Sequence, residues 1–285
     1  MLIAIYGLGL IGGSLGRAIL KNTSHEVIGY DINPDSVLKA KLLGAISEEI
    51  NEENITVADI VIFALNFGDF SNCVKDIIIK LKSGAVVMDC CGIKREVNRK
   101  MLALIKDYPF LTFIGAHPMA GREFSGISHS TINLFDKASM ILCPENASIQ
   151  TLSEIKAFFK IIGFEEVVIT SPKRHDEIIA YTSQLAHVIS SAYIKSPTAG
   201  SFLGFSAGSF RDMTRVAKLN PTMWTELMIG NRDNLISEIE ELKAHLTEFE
   251  EALSNGDETK LYALLSEGNQ KKELYEKQKR EKKND

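Results

Sequence analysis

At 285 residues the chain has room for about two domains, and a hydrophobic fraction of 45% supplies their cores. A formal net charge of −5 argues against wholesale nucleic-acid binding. No apolar run is long enough to span a bilayer and no basic leader precedes Leu2–Tyr6, so no membrane association and a cytoplasmic location are expected.

Leu2–Ile3–Ala4–Ile5–Tyr6 reads as a buried strand that enters Gly7–Leu8–Gly9–Leu10–Ile11–Gly12, and Ser14–Leu20 continues as a helix. This is G-x-G-x-x-G in the strand–turn–helix setting that the motif needs. Gly7 permits the tight turn, Gly9 lets the backbone approach a pyrophosphate, and Gly12 lets helix and strand pack closely. The amides that open the helix would face the phosphates. Gly7, Leu8, Gly9, Leu10, Ile11 and Gly12 are therefore candidate cofactor contacts. The second strand, Glu26–Tyr30, ends at Asp31, about twenty residues on, where an acid can accept the ribose hydroxyls of a dinucleotide. The alternative makes Asp31 a turn residue ahead of Asn33–Pro34. No arginine follows closely to hold a 2′-phosphate, so NAD is expected rather than NADP.

Pro34 to Leu43 reads as a helix ending at Gly44, Asp59–Leu65 as a strand, and about 69–81 as a helix. Ala85–Asp89 and Phe110–Gly115 read as strands around a helix from Arg95 to Ile105. Ala138–Leu142 and Glu166–Ile169 flank a helix near Ile149 to Ile161. Continuous apolar strands alternating with helices predict a doubly wound, mostly parallel sheet of the Rossmann type over residues 1–170, with ligands at the strands' carboxyl ends. From Ser171–Pro172, an N-cap followed by proline at the first helical position, no strand pattern remains. Residues 171–285 are expected to be all-helical. Ile178, Tyr181, Leu185, Val188 and Ala192 form an apolar stripe. Leu235, Ile239, Leu242, Leu246, Phe249 and Leu253 form a seam for packing within the domain or against a second subunit. The charged tail from Lys271 reads as a solvated helix end or frayed terminus.

Cys73, Cys90, Cys91 and Cys143 lack the spacing of a zinc site, and a disulfide between the adjacent Cys90 and Cys91 would be strained. Reduced thiols and no metal are expected. His117 falls just past the end of the Phe110–Gly115 strand, at the edge of the sheet that carries the glycine turn. Imidazole there can act as a general base or polarise a hydroxyl; the alternative is a structural histidine. Gln184, His187 and Ser191 share a helix face, either as a cavity wall or as groups satisfied by neighbouring helices. Arg211 and Arg215, four apart, can clamp carboxylates from one helix face or be surface arginines. Trp224, the only tryptophan, follows Asn220–Pro221 and by type alone is a core residue.

From Gly7 to about Ala252 the chain resembles the prephenate dehydrogenase family. The resemblance rests on the glycine turn, His117–Pro118–Met119–Ala120–Gly121, Phe210–Arg211–Asp212–Met213–Thr214–Arg215–Val216–Ala217 and Asn220–Pro221–Thr222–Met223–Trp224, in that order. It implies NAD-dependent oxidative decarboxylation of prephenate to 4-hydroxyphenylpyruvate, the precursor of tyrosine, with His117 as proton acceptor. It also implies that Arg215 binds a carboxylate of the small-molecule substrate and that His187 lines the pocket; a dianionic substrate needs cationic partners, which Arg211 and Arg215 supply, and Gln184, on the polar face with His187, is a further substrate-binding candidate. Trp224 would close that pocket from a partner subunit, and the helical domain would form a homodimer. Two positions depart from the family pattern. Gly92 stands where many members carry a serine, and Asn66–Phe67 stands where many carry a proline, at a cofactor contact assigned here to Asn66. Because the chain ends after the helical region, no fused mutase or regulatory domain is expected, and feedback by tyrosine would act at the active site. Arogenate, which has an amino in place of the keto group, is the alternative substrate. A 3-hydroxyacid dehydrogenase would need a glycine followed by a catalytic lysine on the first long helix of the second domain, yet Pro172–Ser196 contains no glycine. A non-catalytic NAD-binding regulator would need no proton acceptor.

Overall fold

In the strands, successive side chains alternate between two apolar cores. Ile3, Ile5, Ile60, Ile62 and Met88 enter one, while Ala4, Tyr6, Val61, Phe63 and Val87 enter the other. Burial on both faces is what continuous rather than alternating hydrophobicity predicts for a parallel sheet covered on both sides. The structure is a computed structural model that describes residues 1–284 except 122–123, 202–203 and 206–207. Its strands are β1 (Leu2–Tyr6), β2 (Glu26–Tyr30), β3 (Glu48–Glu49), β4 (Ile60–Phe63), β5 (Val86–Asp89), β6 (Thr112–Pro118), β7 (Ser139–Pro144) and β8 (Glu166–Ile169). The helices between them are α1 (Leu10–Asn22), α2 (Pro34–Leu42), α3 (Phe67–Ile78), α4 (Arg95–Asp107) and α5 (Ile149–Ile161).

The strands form one sheet in the order β3-β2-β1-β4-β5-β6-β7-β8, parallel except for the β6–β7 pair. The order reverses between β1 and β4, the place where such sheets open a crevice for a ligand. Two details differ from the sequence reading. β3 is two exposed glutamates with no apolar signal. β6 does not stop at Gly115 but runs to Pro118, because β7 pairs antiparallel with it and sets His117 opposite Ile141. His117 is thus a ladder residue with a fixed backbone rather than a loop residue beyond the strand.

Helices follow from Pro172, as expected: α6 (Pro172–Ile179), α7 (Ala186–Tyr193), α8 (Gly208–Thr214), α9 (Pro221–Gly230), α10 (Arg232–Ser254) and α11 (Glu258–Asn284). A π-helical turn, Ala180–Leu185, joins α6 to α7. It breaks the 3.6-residue period and overturns the expected apolar stripe. The buried face carries His175, Asp176, Ile179, Ala180, Gln184 and Leu185, while Ile178 and Tyr181 are 41% and 63% exposed. α11 carries helix through the charged tail, with pairs such as Lys271–Glu267 and Lys272–Glu276 at i,i+4 spacing. By packing, Met1–Arg232 forms one compact unit and Asp233–Asp285 a second. The sheet and the helices up to Arg232 belong together, with α4 packed against α6.

Candidate active site

The glycine turn is built as its spacing requires. Gly7 has φ +89°, and a Cβ there would stand 2.6 Å from the Ala64 carbonyl; a Cβ on Gly12 would lie 1.9 Å from the Gly7 carbonyl. No protein atom lies within 4 Å of the Cβ position of Gly9, and no side chain caps the start of α1. Its first amides, those of Leu10, Ile11 and Gly12, face an open approach, which suits a pyrophosphate. The Leu8 amide is already used: it donates to Asp31 Oδ2 at 2.8 Å, while the Asn33 amide donates to Oδ1 at 2.9 Å. Asp31 therefore serves the turn ahead of Pro34 and braces the glycine turn, and it lines a cavity of about 580 Å³ with Tyr6, Gly7, Tyr30, Ile32 and Glu52 among others. Among the described residues the one cation lining it, Lys80, is paired with Glu52 at 2.9 Å. These residues fit an adenosine with free ribose hydroxyls. Asn66 is exposed beyond β4; its Oδ1 accepts the Asp69 amide at 2.9 Å and its Nδ2 donates to Asp69 Oδ2 at 2.8 Å, so its side chain caps α3.

At the carboxyl end of β5, Asp89 and Lys94 form a fully buried ion pair. Burial alone would lower the Lys94 pKa, but Asp89 outweighs it and holds the ammonium above its usual range. Asp89 also accepts the Ala116 amide at 3.1 Å and the Cys91 amide at 2.8 Å, which ties the loop after β5 to β6 one residue before His117. His117 Nδ1 lies 2.9 Å from His175 Nε2, and His175 Nδ1 lies 2.7 Å from Asp176 Oδ1. Asp176 in turn accepts the amides of Lys94 at 2.7 Å and Arg95 at 2.9 Å, with Arg95 Nε at 3.3 Å. His117 is half-buried, with protein packed densely around it. Desolvation, then the charges of His175 and Lys94, push its pKa well below the usual imidazole range. His117 is therefore neutral at pH 7 and able to take a proton.

Gln184 occupies a place other than a pocket wall. Its Nε2 donates to the Leu227 carbonyl at 3.0 Å and its Oε1 accepts Asn231 Nδ2 at 2.9 Å. Asn231 Nδ2 also donates to the Asp176 carbonyl at 2.8 Å. Both ends of the Gln184 amide are thus committed to neighbouring helices, the bland alternative weighed for this face. His187 sits one turn on: Nδ1 donates to the Ser183 carbonyl at 2.9 Å, and the ring stacks on Trp224 with centroids 3.7 Å apart and planes at 30°. Trp224, expected from a partner subunit, packs here on its own chain. Burial, then the nearby Arg215 charge, lowers the His187 pKa against the Ser183 hydrogen bond. Arg211 and Arg215 do not share one helix, since Arg211 lies in α8 and Arg215 opens a 3₁₀ turn after it. Both are exposed, and neither has an ion pair or hydrogen bond among the described residues. Arg122 and Glu123, which follow Gly121 in the sequence, lie outside the described residues.

α9 brings these groups to the sheet edge. Glu226 Oε1 accepts the Gly68 amide at 2.6 Å, and the Leu227 side chain stands 2.9 Å from the Cβ position of Gly92. Leu227 thus fills the space beside Gly92. His175, Asp176, Lys94 and Asn231 escaped the sequence reading. The available signal was the His–Asp dipeptide in the first turn of the helix that opens at Pro172.

Residues 15–168 match the family model described as prephenate dehydrogenase, nucleotide-binding domain, and residues 171–267 match prephenate dehydrogenase, dimerization domain. The chain is 29% identical over 276 residues to the prephenate dehydrogenase of Lactococcus lactis, covering 93% of this chain and 75% of that one. It is 28% identical to the cyclohexadienyl dehydrogenase of Zymomonas mobilis, over 90% and 89% of the two chains. Among solved structures it superimposes on prephenate dehydrogenase from A. aeolicus, in complex with hydroxyphenyl propionate and NAD+, with TM-score 0.85 and 27% identity over 96% and 98% of the two chains. It matches Synechocystis arogenate dehydrogenase with TM-score 0.81 and 25% identity over 96% and 100%.

Proposed function

The chain belongs to the prephenate dehydrogenase family, and from that premise we propose that it oxidatively decarboxylates prephenate to 4-hydroxyphenylpyruvate, preferring NAD to NADP. It is an NAD-dependent oxidoreductase. The observation that carries the proposal is His117 on β6, hydrogen-bonded to His175, on the sheet edge where parallel strands β1, β4, β5 and β6 end and which also carries the glycine turn.

Gly7, Gly9, Gly12 and Asp31 would hold NAD, which would supply the hydride acceptor for the ring carbon that bears the hydroxyl. His117 takes the hydroxyl proton as carbonyl character develops there, and loss of the ring carboxylate as carbon dioxide leaves an aromatic product. The substrate brings two carboxylates, and Arg215 and Arg211, exposed and without ion pairs among the described residues, supply the matching charge. His187 and Trp224 form a stacked wall beside Arg215. Asp31 and the Lys80–Glu52 pair leave no free cation for a 2′-phosphate among the described residues lining the cavity. Residues 1–170 are assigned to cofactor binding and 171–285 to substrate binding and homodimer formation, with exposed Ile178 and Tyr181 available to a second copy.

Arogenate is the second reading, because both a cyclohexadienyl dehydrogenase and an arogenate dehydrogenase are relatives. NADH and NADPH production measured with each substrate and each cofactor decides between them. Prephenate with NAD should give the highest kcat/KM; a higher value with arogenate reverses the substrate assignment, and no turnover in any combination removes the function.

Arg215→Ala should raise the substrate KM by about 10- to 100-fold, the loss of one charge-assisted contact, with kcat changed much less. An unchanged KM would take Arg215 out of the pocket.

A further inference from the structure

Resting on the reading of His117 as proton acceptor, we propose that His175 and Asp176 are positioning residues that fix which nitrogen of His117 carries its resting proton. The Asp176 carboxylate accepts two backbone amides at the start of α4 and the Arg95 side chain. Burial opposes ionisation, but the His175 hydrogen bond and those amides outweigh it and keep the pKa below the usual carboxylate range.

An ionised carboxylate offers no proton, so the 2.7 Å contact requires a hydrogen on His175 Nδ1. Desolvation, and next to it the Lys94 charge, keep the His175 imidazole below its usual range despite Asp176, so a neutral ring carries that single proton. His175 Nε2 is then a bare lone pair. It faces His117 Nδ1 at 2.9 Å, and two lone pairs would repel at that distance. His117 must therefore hold its proton on Nδ1 and donate it to His175. Its own Nε2 is left as the basic atom, the only nitrogen of the ring free to receive a proton from substrate. With the opposite tautomer, His117 would present an N–H to the substrate hydroxyl and could not accept its proton.

The chain Asp176–His175–His117 also spreads the charge that forms. When the substrate O–H proton moves to His117 Nε2, the Nδ1 hydrogen stays in place and the hydrogen bond to His175 becomes charge-assisted, with the Asp176 anion behind it. The rings are held for this, since β6 fixes the His117 backbone in the ladder with β7 and both His175 and Asp176 are almost fully buried.

Two variants separate this role from a purely structural one. In His175→Gln the carboxamide extends to the Nε2 position and can still accept from His117, but no group remains at the Nδ1 position. In His175→Asn the shorter amide can still donate to Asp176 but falls short of His117. Positioning predicts that H175N lowers kcat by about 10- to 100-fold, that H175Q retains clearly more activity, and that neither changes the KM for NAD. A residue needed only to satisfy buried Asp176 predicts the reverse order. A second readout needs neither variant nor ligand: long-range ¹H–¹⁵N correlation on the cofactor-free protein at pH 7.5 should show His117 protonated at Nδ1 with Nε2 bare. A proton on Nε2, or H175Q as slow as H175N, overturns the inference. His117→Asn keeps the two readings apart. Full activity in that variant removes His117 as acceptor; activity lost there, with a proton found on His117 Nε2 in the parent, removes only the positioning role.

Discussion

Asparagine in place of His117 is expected to lower kcat by about 10²- to 10⁴-fold, the usual contribution of a positioned general base, while NAD affinity stays nearly unchanged. The residue sits in the β6–β7 ladder, so the backbone should not move when the ring is replaced. What is lost is a basic nitrogen at the sheet edge. Asparagine can occupy part of the space and hydrogen-bond to His175, but its amide has no comparable basicity. A kcat within a few-fold of the parent would remove His117 from the chemistry.

The pH dependence follows from the same environment. Desolvation, with the charges of His175 and Lys94 next, keeps the His117 pKa well below the usual value, about 6.5 for free imidazole. The neutral ring is the active form. In the parent, kcat/KM should be flat above about pH 6.5 and fall only in more acid solution, as the ring protonates. A limb attributable to His117 centred at or above that value would contradict the burial argument.

Lys94→Met is the second large effect, and it is on stability. Lys94 and Asp89 are both almost fully buried, and removing the ammonium leaves Asp89 without a counter-charge, its carboxylate still accepting the Ala116 and Cys91 amides. Breaking a buried pair on one side costs about 3–5 kcal/mol, because the remaining charge stays out of water. The denaturation midpoint should fall accordingly with an unchanged slope. Adding Asp89→Asn should restore part of the loss, since a neutral amide needs no counter-charge. A single-variant loss below about 1 kcal/mol, within the range of an exposed pair, would show that water reaches Asp89. The pair matters to function because Asp89 fastens the loop after β5 to β6, and Lys94 and Arg95 offer their amides to Asp176.

Much of the nucleotide half was legible because its signals are local. Gly7, Gly9 and Gly12 are spaced by the needs of one turn, and Asp31 closes the next strand. β1 and β4 announce themselves as unbroken apolar runs. The π turn at Ala180–Leu185 was not legible, since one additional residue in a helical turn leaves no mark on composition yet rotates everything after it. Ile178 and Tyr181, apolar and correctly spaced, face outward, while Gln184, within the turn, faces inward and bonds Leu227 and Asn231. β3, two glutamates held by pairing with β2, carries no hydrophobic signal at all.

The sequence by itself determined the turn that receives a dinucleotide, the alternation that builds a parallel sheet, and a histidine and two arginines of the right chemical type. These depend on neighbours within a few residues, where sterics and periodicity act. Only the tertiary structure decided what those side chains meet. His117 and His175 are far apart in the chain, and Asn231 is farther still; they converge because α6 and the end of α9 pack against the start of α4. Hydrogen bonds across such distances have no period to read. The tautomer of one imidazole, and with it the atom that accepts the proton, is fixed by that packing alone.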